Sequence, residues 1–413
     1  MHVDIRSLGR FNRMAHEGAE EAARHLSGLA DVEAFVDVTK TNVTTAAGLG
    51  GTDHRVGVVV ELDGGLEGRT VFTFPLESAT KLANVLVPGS DGVDESAIRE
   101  VGNVMAGGFI DGWADYLGTT IDIAPPDYIE GERESVLRDP AEDDALVFAS
   151  QVEAVEPDLG FDIHLFPERA SLQAAFDSAP LDEDTDLMAR GSSDDSRGAT
   201  VSIDKLSVFG GMVRQGATSV SNNLTTMTGI ETAVEVTTLS FVPVEELPDD
   251  LRARTYVGVV FEFDGPPSGY VMILFDEESA RDVAEALVPG ERERSDGDPP
   301  ESFGQMDRSA IREVGNVMAS SFVDGWANSF DTTIDISPPE FVHDMGGAIV
   351  DPVAVSLGQR QQFAFVSDAT IRADDRAFDC SLYALPDETE LRDVLDSLDA
   401  DGTAERQTKA GEL

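Results

Sequence analysis

The chain has 413 residues, which is enough for two or three domains. Its formal net charge is −50, from 79 acidic and 29 basic residues, so it would repel phosphates and nucleic acid is excluded as a partner. It contains no run of about 18 apolar residues, so we expect no membrane insertion. The single cysteine, Cys380, excludes an intrachain disulfide and is expected to be a buried strand residue in a reducing cytoplasm.

The predicted elements follow the same order in both halves of the chain. The first half has a helix over Phe11–Leu29, strands within 55–75, a short helix over Glu77–Leu86, a long helix over about Glu95–Leu117, and strands within 145–168. The second half has a helix over Val208–Met227, strands from Tyr256, a short helix over Glu277–Leu287, a long helix over about Arg308–Phe330, and strands within 362–385. Val, Phe and Thr dominate the strands, most of which are joined as hairpins. This order predicts an α/β fold of the α+β-like kind, with helices packed on a sheet.

The acidity also predicts the environment of the protein. Surface charges act over a Debye length of about 8 Å at ordinary salt but only about 3 Å at molar salt. A chain with so many carboxylates and only four lysines is therefore suited to concentrated salt, as in an extreme halophile. An acidic disordered protein is the alternative, but the acids are interleaved with periodic apolar residues, which indicates folded units.

An internal duplication is the strongest signal. The decapeptide SAIREVGNVM occurs at 96–105 and, unchanged, at 309–318. The similarity continues through TTIDI to Pro125 and Pro338 at a constant spacing of 213 residues. We therefore expect two tandem domains, over 1–178 and 201–396. An acidic flexible linker over 179–200 joins them, and a disordered tail follows over 397–413.

The repeated decapeptide places polar residues along one side of a helix. At roughly 100° per residue, Ser96, Asn103, Gly107 and Asp111 fall within about 60° of Glu100, and apolar residues occupy the other side. The same polar stripe recurs in the second copy, at Ser309, Glu313, Asn316, Ser320 and Asp324. A carboxylate and a carboxamide three residues apart lie side by side on such a face.

Most Glu-x-x-Asn pairs are plain solvated helix surface, but this pair lies in a ten-residue identity between two otherwise divergent copies. Tight helix packing at Gly102 and Gly315 is a structural alternative for that identity. Trp113 and Trp326, which follow the motif, are predicted to be core anchors. The histidines show no metal-ligand spacing, so no metal site is predicted.

At these residues the chain resembles the CheC/CheX/FliY phosphatases, which act on the chemotaxis response regulator CheY. Their motif is Asp/Ser-x-x-x-Glu-x-x-Asn followed by a proline about 22 residues later. The matching residues are Ser96, Glu100, Asn103 and Pro125 in the first copy, and Ser309, Glu313, Asn316 and Pro338 in the second. The resemblance implies two CheC-like domains, each a pseudo-two-fold sheet with packed helices. It also implies phosphorylated CheY as the partner.

The resemblance further implies the roles of the motif residues. Glu100 and Glu313 would anchor the helix on the regulator's lysine, and Asn103 and Asn316 would position the attacking water. Ser96 and Ser309 would cap or begin the helix rather than act as nucleophiles. The regulator would supply the Mg²⁺, so we expect no cofactor of the chain's own. The alternative is a non-catalytic adaptor that binds CheY, the deamidase CheD or a motor-switch protein.

The first helix of each copy departs from the motif. In the assigned register, Gly9 and Asn12 stand at the Glu and Asn positions of the first copy, and Ser207 and Gly210 in the second. We therefore interpret these helices as degenerate, and Asn12 as a solvated residue. One intact motif is left in each domain.

Overall fold

The computed structural model describes thirteen segments: residues 2–30, 32–44, 49, 53–89, 92–138, 145–154, 159–178, 200–229, 231–247, 254–287, 303–361, 363–373 and 380–397. The chain forms two compact units, Met1–Asp204 and Lys205–Leu413. The predicted linker lies outside the described residues up to residue 199, and the predicted tail lies outside them from residue 398.

The first unit follows the predicted alternation of helices and hairpins. Its elements are β1 (His2–Asp4), α1 (Ile5–Ala30), β2 (Ala34–Thr44), β3 (His54–Gly64), β4 (Gly68–Pro75), α2 (Leu76–Leu86), α3 (Glu95–Leu117), β5 (Ile121–Ile123), β6 (Asp127–Glu132), α4 (Arg133–Leu137), β7 (Ala145–Ala154), β8 (Gly160–Pro167), α5 (Arg169–Ser178) and β9 (Thr200–Ser202). The motif helix α3 has the predicted bounds.

The sheet of the first unit is antiparallel, with strand order β5–β3–β4–β8–β7–β2, and β6 also pairs with β3. The central strands β4 and β8 read GRTVFTFP and GFDIHLFP, and β3 and β7 flank them on either side. The order is therefore symmetric about the β4–β8 pair, which confirms the predicted pseudo-two-fold sheet. The short strand β1 pairs separately with β9.

The second unit repeats this arrangement. Its elements are α6 (Ile203–Thr228), β10 (Thr232–Pro243), a 3₁₀ turn (Val244–Glu246), β11 (Thr255–Asp264), β12 (Gly269–Asp276), α7 (Glu277–Leu287), α8 (Gln305–Phe330), β13 (Asp335–Ile336), β14 (Glu340–Met345), α9 (Gly346–Gly358), β15 (Phe363–Ala373), β16 (Cys380–Pro386) and α10 (Glu388–Ser397). Its strand order is β13–β11–β12–β16–β15–β10, with β14 also on β11. Cys380 is buried in β16, as predicted.

Each motif helix lies on one face of its sheet, where glycines permit close contact. A Cβ at Gly102 would overlap the side chain of Val58 on β3, and one at Gly315 would overlap Val259 on β11. Trp113 is fully buried between Phe11 of α1 and Phe148 of β7, at ring centroid distances of 5.8 and 5.1 Å. These contacts fix the helix on the sheet. They give a packing reason for the two glycines of the repeated decapeptide.

The close approach predicts opposite effects for two glycines of α3. Gly102→Ala should destabilise the protein by about 1–3 kcal/mol, because the added methyl must displace Val58. Gly107→Ala is the matched control, because a Cβ there meets nothing within 4 Å, and it should stabilise the helix by roughly 0.5–1 kcal/mol. Urea unfolding at molar salt measures both. Equal stabilities of the two variants would contradict the packing.

Candidate functional site

The polar stripe of α3 faces outwards, as predicted. Ser96, Glu100, Asn103 and Asp111 are exposed, and Gly107 is half-buried. The opposite side is buried, which includes Ile98, Val101, Met105 and Phe109. Within the described part of the chain, the side chains of Glu100 and Asn103 form no hydrogen bond and no ion pair. They are therefore available to another molecule on a helix that is itself firmly packed.

The second copy repeats the stripe on α8. Ser309, Glu313 and Asp324 are exposed, while Asn316 and Ser320 are half-buried. Among the residues with described positions, Glu313 and Asn316 have no hydrogen-bond or ion-pair partner either. We refer to Glu100 with Asn103 as the first motif site, and to Glu313 with Asn316 as the second motif site.

The two serines of the motif differ in their place on the helix. Asp94 caps α3, because its carboxylate accepts a 2.9 Å hydrogen bond from the Ala97 amide, and Ser96 lies in the first turn. Helix α8 begins earlier than predicted, at Gln305, with the Asp307 carboxylate accepting a 3.0 Å bond from the Gly304 amide. The prediction of a helix-start position therefore holds for Ser96 and is wrong for Ser309, which lies in the second turn.

The strand that follows the first motif helix carries a small hydrogen-bonded cluster. In the first copy, Tyr128 of β6 donates a 2.9 Å hydrogen bond to Glu130, which also contacts His54 at 3.0 Å. Burial, then the hydrogen bond and charge of Glu130, raise the pKa of Tyr128 to about 12, so it stays neutral at physiological pH. Pro125 lies in the segment that joins β5 to β6, and Pro338 lies in the equivalent segment between β13 and β14.

The register assigned to the first helix is wrong. Asn12 is 1% exposed and Gly9 is buried, whereas the motif residues that they were matched to are exposed. The Asn12 carboxamide donates to the Thr39 carbonyl oxygen at 3.2 Å and accepts from the Thr41 hydroxyl at 3.0 Å. Asn12 therefore ties α1 to β2 and is not the solvated residue that the sequence suggested.

The packing of α1 on α3 gives the correct register. Gly18 lies against Gly112, and the ring of His25 lies against Gly108, with its Nδ1 3.2 Å from the Val104 carbonyl oxygen. Outside this contact, Arg13 is exposed and His16 is half-buried, and they have the three-residue spacing of Glu100 and Asn103, so we match them with that pair. In α6, where Gly210 is also buried, the corresponding residues are Gly211 and Arg214. Neither helix carries the motif, so the interpretation of one intact motif per unit stands.

Because Asn12 is buried and hydrogen-bonded, we expect its replacement to lower the stability of the protein. Asn12→Ala should destabilise the protein by about 1–3 kcal/mol, because it leaves the buried Thr41 hydroxyl without its acceptor. Asn222→Ala removes an exposed carboxamide from α6 and should change stability by under about 0.5 kcal/mol. Urea unfolding compares the two. An Asn12→Ala protein as stable as the parent would contradict the buried network.

The comparisons with known proteins agree with the motif. A family model described as the CheC-like family matches residues 93–130 and 306–343, which span nearly all of both motif helices and reach into β6 and β14. A candidate CheY-P phosphatase named CheC1 from Halobacterium salinarum is 38% identical over 187 residues, which are 45% of this chain and 92% of that protein. The chain belongs to the CheC-like family. Its relative comes from an organism that fits the salt-adapted composition.

Two further similarities are weaker. The CheY-P phosphatase CheX of Thermotoga maritima is 34% identical over 83 residues, which are 19% of this chain and 53% of that protein. The crystal structure of Thermotoga maritima FliY is 18% identical with a TM-score of 0.36, over 42% of this chain and 95% of that one.

In the described segments, no group of three or more His, Cys, Asp and Glu side chains is placed to hold a metal ion. The helices of the same segments lack the combination of length and hydrophobicity that a membrane span requires.

Proposed function

We propose that this CheC-like chain is a protein-aspartyl-phosphate phosphatase that dephosphorylates a CheY-type response regulator. One observation carries the proposal: each unit presents an exposed carboxylate beside a carboxamide on a firmly packed helix, and neither group has an intramolecular partner in the described structure. The names of two relatives, both CheY-P phosphatases, support the choice of substrate.

The proposed reaction is an in-line hydrolysis. A water oxygen forms a bond to phosphorus while the bond between phosphorus and the aspartate carboxylate oxygen breaks. The products are a free aspartate carboxylate and inorganic phosphate, and the proton of the water passes to a phosphate oxygen or to solvent. Catalysis of such a transfer is mostly positioning and electrostatic stabilisation, because the leaving carboxylate is already a good leaving group.

The motif residues fit this chemistry. The Asn103 carboxamide can accept a hydrogen bond from the water and donate one to it, so it can orient the water without being a strong base. Glu100 keeps a fixed negative charge that can pair with a lysine of the regulator and hold the helix over the phosphoryl group. We assign the same roles to Asn316 and Glu313. Ser96 and Ser309 each lie one helical turn before the glutamate of their site and would support it from there.

The remaining requirements would come from the regulator. We propose that its own Mg²⁺ neutralises the phosphoryl oxygens, so that this chain contributes no metal ion. The protein would then act in the cytoplasm, where the regulator is phosphorylated.

A second candidate is a non-catalytic adaptor that binds CheY, CheD or a motor-switch protein. The first helices favour it, because Arg13 and His16, or Gly211 and Arg214, can contact a partner but cannot supply the Glu and Asn pair. The phosphatase is preferred because the adaptor gives no reason for that pair on both motif helices.

Phosphate release from phosphorylated CheY of Halobacterium salinarum at molar salt tests the proposal. Added protein should accelerate release in a catalytic manner, with many regulator molecules turned over per chain. Binding without any acceleration would overturn the phosphatase and leave the adaptor.

A further inference from the structure

The two motif sites differ in the charge on the turns before the asparagine. In α3, Glu95, Arg99 and Asn103 follow one another at intervals of four residues and therefore share one side of the helix. The Glu95 carboxylate forms a 2.8 Å ion pair with the Arg99 guanidinium. The side of α3 next to Asn103 therefore carries no net charge.

The same positions of α8 hold Arg308, Arg312 and Asn316. Both guanidinium groups lie over the ring of Phe341 on β14, with Cζ atoms 5.3 and 5.6 Å from the ring centroid. The Arg308 Nε also donates a 3.0 Å hydrogen bond to the Phe303 carbonyl oxygen. The two arginines are thus held side by side on an aromatic surface, next to the second motif site.

This pair is unfavourable for the isolated protein. Like charges four residues apart on a helix destabilise it by a few tenths of a kcal/mol. In a chain with 79 acidic residues, neither guanidinium forms an ion pair with any residue that the structure describes. Both side chains are exposed, so they are available to an anion from another molecule.

The second site differs from the first in two further respects, its aromatic ring and the length of its helix. Phe341 stands where the first copy has Tyr128, so the ring beside the second site lacks the hydroxyl that Tyr128 carries. Helix α8 also has an additional N-terminal turn, on which Met306 is 63% exposed on the same stripe as Glu313. The second site therefore offers a larger, more apolar and more cationic docking surface.

We propose that Arg308 and Arg312 form a cationic docking platform for the anionic surface of the phosphorylated regulator, and that the second motif site alone has it. This inference rests on the proposed function. The platform acts in binding, because the arginines lie beside the motif and do not replace the carboxylate or carboxamide. The two sites then share one chemistry but differ in affinity for the regulator.

At molar salt, the two arginines can attract the regulator only through direct contact. At molar salt the Debye length is about 3 Å, so distant charges neither attract nor steer. Guanidinium groups that are already ordered on an aromatic ring lose little further freedom when they bind a carboxylate or phosphate. Their contribution should therefore appear in KM and in the dissociation rate, with kcat nearly unchanged.

The test isolates each site. In an Asn103→Ala background, where only the second site is intact, replacing both Arg308 and Arg312 by Gln should raise KM about tenfold and leave kcat within twofold. In an Asn316→Ala background, Arg99→Gln should leave KM within twofold, because that arginine is already paired. Glu95→Arg there should lower KM several-fold by rebuilding the platform on α3.

A binding readout separates this proposal from the phosphatase. CheY loaded with BeF₃⁻ and Mg²⁺ mimics the phosphorylated regulator, and its affinity for each variant needs no turnover. If no variant releases phosphate but the two Gln changes still weaken binding, the phosphatase fails and the platform stands. If both KM and affinity stay within twofold after the Gln changes, and Glu95→Arg has no effect, the platform is wrong.

Discussion

Replacing both Asn103 and Asn316 by alanine is expected to abolish the acceleration of regulator dephosphorylation. Removing one group that positions or stabilises the reacting atoms typically costs about 10²–10³ in rate. Both carboxamides are on motif helices, and neither first helix carries a Glu-x-x-Asn sequence that could replace them. The doubly substituted protein should therefore fall by about 10²–10³ in kcat when phosphate release is followed at saturating regulator.

The single substitutions make the assignment sharper. If the sites act independently, Asn103→Ala and Asn316→Ala should each retain roughly half of kcat, since the other unit is untouched. Asn222→Ala, an exposed carboxamide on α6, is the control and should behave as the parent. Circular dichroism confirms the fold of each variant. A double variant with near-parental kcat would show that the motif is wrongly assigned.

The motif helix could be predicted from the sequence because several signals coincide there. Apolar residues at helical spacing defined its buried side, and the identity between copies set its register. The structure has these residues as predicted, with Trp113 and Trp326 fully buried. Gly102 and Gly315 also lie in the close contacts that their conservation between the copies suggested.

The sequence does not predict strand β2 or helix α9, and the physical reason differs between the two. Strand β2 buries Thr39 and Thr41 on one face, so this core side does not read as apolar. Helix α9 contains two N-terminal glycines, Pro352 and several valines, all of which are poor helix formers. Ile349, Val350, Val353 and Leu357 of α9 lie in a buried cluster, so tertiary packing determines this helix.

The burial of Asn12 shows a limit of motif matching. A polar residue at helical spacing is usually solvated, and only the partner strand reveals the hydrogen bonds that permit its burial. The second copy has the buried Leu239 where the first has Thr41, and Gly210 where it has Asn12. The polar network and an apolar core are therefore alternative solutions at the same place in the two units.

Of the two arginines beside the second motif site, Arg308 precedes the repeated decapeptide and Arg312 lies within it. Arg312 is part of the repeated sequence, as is Arg99, but its different role depends on residue 308 one turn earlier. Only the structure shows that Arg99 is neutralised by Glu95 while Arg312 shares the Phe341 ring with Arg308.

Lowering the salt concentration is expected to unfold the protein at temperatures where it is stable in molar salt. The net charge of −50 is spread over units with few basic residues to pair it. Between 1 M and 0.1 M salt the Debye length grows from about 3 to about 10 Å, so each carboxylate begins to repel several neighbours. The melting temperature should fall by about 10 °C or more. At roughly 2–4 °C per kcal/mol for units of this size, that fall is several kcal/mol.

Circular dichroism at 222 nm across a KCl titration measures this loss. A parallel titration with a neutral osmolyte such as sucrose is the control, because it favours compact states without screening charge. KCl should restore the melting temperature well before sucrose of equal osmolality does, since the repulsion is electrostatic. A melting temperature that is the same at 0.1 M and 1 M KCl would contradict the salt-dependent stability inferred from the composition. Equal rescue by sucrose would mean that solvent exclusion, rather than charge screening, stabilises the fold.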